Sequence, residues 1–185
     1  MKLVTKTIEN DELYLRQISK EVNFEKDDFL NDIKKIKEYC QTQDVLAMAC
    51  IQIGIPKRII YLKNTDVHNL EDNSIDESRV LINPIIISKK GKTKYWEACA
   101  SCLDNMGLVT RPYEIKIQYQ DIYNQMHVDT FQGFESTVLS HEYDHLNGIL
   151  HIDIAEKILV MDKEQRREFR KEHDYEIISK DCKFE

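Results

Sequence analysis

Between Glu25 and Gln41 the apolar positions recur at helical spacing. Phe29, Ile33, Ile36 and Tyr39 fall on one face, which predicts a helix with Asp27 or Asp28 favourably placed at its start. A short apolar stretch, Val45 to Ile53, follows and is closed by Gly54 and Pro56. The β-branched runs Arg58–Leu62 and Arg79–Ile87 read as strands, with Pro84 marking an edge or a bulge in the second. The acidic segment between them, residues 64–78, reads as a surface loop. From Tyr113 to Tyr119 polar and apolar residues alternate, and Met126–Phe131 is expected to pair with that strand across Asp121–Asn124. Gly133 opens a helix predicted from Phe134 to about Asn147, ended near Gly148. A further helix covers Lys163–Glu172, and the remainder reads as a charged, loose tail. Strands first and a helix late make α+β the expected class. The expected division is one catalytic domain over residues 1–160 and a charged helix and tail over 161–185.

Composition narrows the function classes. A chain of 185 residues with 42% apolar and 32% charged residues suits one globular domain with a real core. The net charge of -7 argues against a nucleic-acid binder, which normally carries a basic face. No apolar run approaches the roughly 20 residues that span a bilayer. The N-terminal stretch lacks the apolar centre of a signal peptide. Five cysteines, Cys40, Cys50, Cys99, Cys102 and Cys182, are an odd number and read as reduced thiols in a cytoplasm. Any special one is then a ligand or a nucleophile.

The chemistry concentrates in His141-Glu142-Tyr143-Asp144-His145, inside a predicted helix. Residues four apart lie on one face, so both imidazoles can reach one metal ion, with Glu142 beside them as proton acceptor for a bound water. A solvated helix can carry two histidines by chance, but it has no need of a glutamate in that slot. Two histidines are too few ligands, and three completions compete. The run His141 to His151 matches H-E-x-x-H-x-x-G-x-x-H, the metzincin protease signature, with His151 as third ligand. His151 reads equally as the start of a short strand, His-Ile-Asp-Ile. Cys99 and Cys102 together would close a Cys2His2 structural zinc site with no vacant position. One cysteine alone would leave a position open for water and substrate.

Further segments bear on that choice. Upstream lie Val45-Leu46-Ala47-Met48-Ala49-Cys50-Ile51-Gln52, followed by Ile53-Gly54, and Glu97-Ala98-Cys99-Ala100-Ser101. Lesser matches are Leu81–Pro84 and Val109–Arg111. Taken in order with His141–His145, these resemble the motifs of the peptide deformylases over about residues 10 to 155. The resemblance implies an α+β fold of mixed, mainly antiparallel sheets around a central helix carrying H-E-x-x-H. It implies Cys99, His141 and His145 as ligands of one divalent ion: iron(II) for activity, with zinc, nickel or cobalt compatible with the same donors. Glu142 would be the base, and the Gln52 amide and the Ala100 N–H would donate to the developing oxyanion. Glu97 and Arg111 would form a buried structural pair. The implied substrate is an N-formylmethionyl peptide, met at the ribosome exit by a monomer in a bacterial cytoplasm, with no nucleic-acid or membrane binding of its own.

The chain departs from the family where Val45, Ala47 and Ala98 replace glycines of the first two motifs. Together with Val138 these residues are expected to line the substrate cleft, which the added methyl groups narrow or reshape.

Overall fold

One long strand organises the molecule. The computed structural model describes residues 4–43, 45–63 and 80–184. In it β3 (Val80–Ala98) pairs in turn with β2 (Ile59–Leu62), β5 (Glu114–Gln120), β8 (Glu176–Lys183) and β4 (Asn105–Arg111), always antiparallel. β1 (Ala47–Ala49) extends the sheet beyond β2, β7 (Lys157–Val160) beyond β4, and β6 (Met126–Gln132) beyond β5. Strand pairings between distant segments, with helices laid against them, make the class α+β as expected.

The helices follow their local patterns. α1 spans Ile8–Leu15, α2 Phe29–Gln43, α3 Phe134–Leu146, α4 His151–Ile154 and α5 Lys163–Glu172. α2 buries Phe29, Ile33, Ile36 and Cys40, a single face, against Met48, Ile59, Tyr61 and Ile82 of the sheet. Full burial of each isoleucine contributes about 1.5–3 kcal/mol. A second apolar cluster joins Ile115, Ile117 and Tyr119, the alternating inward set of β5, to Leu139 and Leu146 of α3. α3 is therefore clamped between sheet residues over much of its length. It ends in a paired closure: Gly148, at φ +73°, donates its N–H to the His145 carbonyl, and Ile149 donates to Asp144.

Pro84 sits at a register shift between Ile82 and Ile85, so it marks a bulge. The side chain of Asn83, at φ +50°, spans the irregularity by pairing with the Val22 backbone and with Gln120. The β5–β6 hairpin turns where expected, with Asp121 accepting from the backbone N–H groups of Tyr123 and Gln125.

Three expectations are corrected. His151–Ile154 is a helical turn rather than a strand, because Asp153 accepts from the Leu150 N–H at 2.7 Å and closes it. Residues 176–183 are not loose: as β8 they hydrogen-bond to the middle of β3. β3 itself runs on well past Ile87, to Ala98, carrying the chain to Cys99. α1 and β4 were not anticipated as elements. The expected loop at residues 64–78 lies outside the described residues.

Candidate active site

Three elements deliver the candidate ligands. β3 ends at Ala98, so Cys99 sits at its mouth as the cap of a short 3-10 turn, Ala100–Cys102. α3 places His141 and His145 one turn apart on a face turned toward that mouth. The Cys99 Sγ and His145 Nε2 are 3.3 Å apart, and the two histidine Nε2 atoms 3.2 Å apart. Cys99, His141 and His145 are the one such donor group found among the described residues. Ligands sharing one tetrahedral ion at about 2.0–2.3 Å would be spaced roughly 3.3–3.6 Å from one another, so the donors present fit a single ion.

Their surroundings hold them there. His141 Nδ1 donates to Glu97 Oε2 at 2.8 Å, leaving Nε2 to face Cys99. Glu97 also receives Arg111, through Nε at 2.8 Å and Nη2 at 3.0 Å. Burial opposes ionisation of Glu97, but Arg111 and His141 outweigh it and take its pKa down to about 2. Arg111 donates in addition to Asp144, so one guanidinium ties the end of β4 to both β3 and α3. The neighbouring Cys102 thiol, with the nearby His145, holds the Cys99 thiol well below its ordinary pKa. Cys102 lies outside the three-donor group and is fully buried beside it.

Glu142 is buried beside the histidines, where its carboxylate accepts the Ala49 N–H at 2.8 Å. Burial raises its pKa, which would suit a group that takes up a proton and gives it back. The same Ala49 N–H reaches Gln52 Oε1 at 3.0 Å. Gln52 sits in a 3-10 turn, Cys50–Ile53, directly after β1, and its Nε2 lies 3.2 Å from both Cys99 Sγ and Ser101 Oγ. β1 therefore aligns the Glu142 carboxylate and the Gln52 amide through one backbone donor. Ser101 holds the Gln52 amide, a task that its place in the motif did not disclose.

A cavity of about 780 Å³ opens over this group. Cys99, His141, Glu142 and Gln52 lie in its wall, as do Val45, Ala47, Ala98, Ala100 and Val138. His145 lies beneath it, fully buried. His151 is not one of the three donors: its Nε2 pairs with the Asn105 carbonyl at 3.2 Å, and its ring stacks on His141. Cys40 and Cys50 are apolar filling in the core around α2. What sequence reasoning missed is a part of the cavity lining supplied by Lys163, Arg166, Arg167 and Arg170 of α5.

An α+β sheet, a helix bearing H-E-x-x-H and a cysteine as third donor describe the class of hydrolases that work through one metal ion. The chain matches the family model for polypeptide deformylase over residues 4–161 and belongs to the peptide deformylase family, whose members are metal-dependent. It is 35% identical to a peptide deformylase of Pelagibacter ubique over 78% of this chain and 81% of the relative. Among solved structures it resembles a probable peptide deformylase from Synechococcus phage S-SSM7, with a TM-score of 0.68 and 32% identity, covering 82% of this chain and 99% of that one. It also resembles a class I type b peptide deformylase from Acinetobacter baumannii solved with Met-Ala-Ser bound, with a TM-score of 0.68 and 26% identity, covering 83% of this chain and 98% of that one.

Proposed function

We propose that this chain removes the N-formyl group from the terminal methionine of newly made peptides. The observation that carries the reading is the convergence of Cys99, His141 and the buried His145 at one cavity whose wall also holds the carboxylate of Glu142. Cys99, His141 and His145 hold the ion, with iron(II) the form expected to be active and zinc, nickel or cobalt able to occupy the same donors. When bound, a divalent ion supplies Lewis acidity that brings the pKa of water toward neutrality.

The protein groups do the rest. Glu142 takes the proton from the attacking water and later hands it to the departing amine, so that formate and a free N-terminus result. The Gln52 amide and the Ala100 N–H donate to the formyl oxygen as negative charge develops on it. β1 stands at an end of the sheet and pairs with β2 alone, while Val45, Ala47 and their neighbours line the cavity. An extended peptide can therefore lie along that edge, with Ala98 and Val138 packing against it. The tripeptide Met-Ala-Ser held by the Acinetobacter relative is the product such a reaction leaves.

No helix among the described residues is long and apolar enough to cross a membrane. We place the reaction in a bacterial cytoplasm, on chains leaving the ribosome, by a monomer whose catalytic unit spans residues 1–160. The test is formate release from formyl-Met-Ala-Ser by anaerobically purified protein. Turnover that disappears in Cys99→Ser and persists in Cys102→Ser supports the assignment. A wild-type protein that binds metal and releases no formate would leave the chain a metal-binding relic of its family.

A further inference from the structure

α5 turns Lys163, Arg166, Arg167 and Arg170 toward the cavity that holds His141 and Glu142. Their spacing, i, i+3, i+4 and i+7, puts all four on one helix face. Two are anchored. Arg166 donates to the Leu103 and Met161 carbonyls at 3.1 and 2.7 Å and lies 3.5 Å from Asp104. Arg170 donates twice to the Trp96 carbonyl, and its guanidinium lies 5.1 Å from the centre of the Tyr95 ring. Both of these partners are neutral, and among the described residues no carboxylate forms an ion pair with Arg170.

The side chains of Lys163 and Arg167 are exposed and make no hydrogen bond or ion pair with the described residues. Of the anions near this face, Glu168 pairs with Lys171, Asp162 caps the helix, Asp104 meets Arg166 and Glu97 holds Arg111. A chain of net charge -7 thus concentrates cations on one wall of its catalytic cavity. A cleft lined by one sign of charge focuses its field on whatever enters.

We propose that this face of α5 binds acidic side chains of the substrate a few residues beyond its N-terminal methionine. The inference rests on the deformylase reading and gives that enzyme a preference among nascent chains. Arg167 supplies a planar fork suited to a carboxylate, Lys163 a mobile point charge, and Arg170 holds the local potential positive behind them.

The test compares kcat/KM for formyl-Met-Ala-Asp-Asp-amide and formyl-Met-Ala-Lys-Lys-amide, with formyl-Met-Ala-Ser as reference, on the metal-loaded full chain. The acidic peptide is expected to be favoured about tenfold or more at low salt, mainly through KM, with the ratio shrinking at about 0.5 M NaCl. Exchanging both free cations, in Lys163→Glu with Arg167→Glu, is expected to invert the ratio. Calorimetry with the deformylated peptides Met-Ala-Asp-Asp-amide and Met-Ala-Lys-Lys-amide should give the same order of affinity without turnover. Equal kcat/KM for the two peptides, or a preference that survives the double substitution, overturns the proposal. Equal peptide turnover beside salt-sensitive binding of a short RNA hairpin also overturns it and assigns the face to nucleic acid. Failure to hydrolyse any of the three formyl peptides sinks the deformylase reading instead, and the calorimetric order then decides the proposal by itself.

Discussion

Glu97 accepts the Nδ1 proton of His141 at 2.8 Å, so the carboxylate chooses which imidazole nitrogen faces the other two donors. Glu97 keeps that charge because Arg111 is paired with it in the same buried space. In Glu97→Gln the amide can present the wrong atom to His141, and metal affinity should fall about 10- to 100-fold. Competition with a chelator of known affinity measures it. An unchanged affinity would reduce Glu97 to a purely structural partner of Arg111.

Glu142 lies beside the donors without being one of them. Glu142→Gln keeps the shape and the buried position, so the protein should still bind one ion per chain. Turnover of formyl-Met-Ala-Ser should drop by about 10²–10⁴. A variant as active as the wild type would remove Glu142 from the chemistry.

His151 separates this site from a three-histidine protease site. Its Nε2 is occupied by the Asn105 carbonyl, so His151→Gln should still bind one ion, whereas His145→Ala should lose it. Metal analysis after gel filtration reads both. Loss of metal from His151→Gln would restore the protease alternative.

Burial, with the nearby His141 charge, pulls the pKa of His151 down to about 4 from its ordinary 6.5. The folded value lies below the unfolded one, so the folded state favours the neutral ring. Stability from this residue is therefore full above pH 6.5 and drains away as pH falls toward 4. Between pH 7.5 and 4.5 the metal-free wild type should lose about 2–3 kcal/mol more than metal-free His151→Gln. Urea unfolding at the two pH values makes the comparison.

Gly148 closes α3 at φ +73°, and a Cβ added there would stand 2.3 Å from the Arg16 carbonyl oxygen. Gly148→Ala should cost more than about 2 kcal/mol, since neither the backbone conformation nor the contact can relax cheaply. A midpoint of urea unfolding equal to that of the wild type would contradict the tight contact between the end of α3 and Arg16.

Local pattern was enough for some of this protein. α2, α3 and the β5–β6 hairpin were legible because their apolar residues repeat at 3.6 or 2 positions, and each period belongs to the segment itself. The pair His141 and His145 was legible for the same reason: helix geometry alone brings them to one face. Cys99 and Gln52 were identified only by resemblance to a family, because they lie 46 and 93 positions from His145 in the chain and no local period relates them. β8 escaped notice because its residues are largely exposed, so no apolar alternation marks it, and its hydrogen bonds exist only once β3 is beside it. α4 is closed by reciprocal bonds between Leu150 and Asp153, which no apolar period announces. The wall of cations on α5 was visible as charge, yet nothing in the order of residues says which way that face turns. Only the packing of α5 over the ends of β3 and β4, with Arg166 on the Leu103 carbonyl and Arg170 on the Trp96 carbonyl, sets it against the cavity. Local order in the chain carried the periodic elements and two of the three donors, His141 and His145. The tertiary structure decided which distant side chains share one space, because contacts across the sheet depend on register and closure rather than on neighbouring residues.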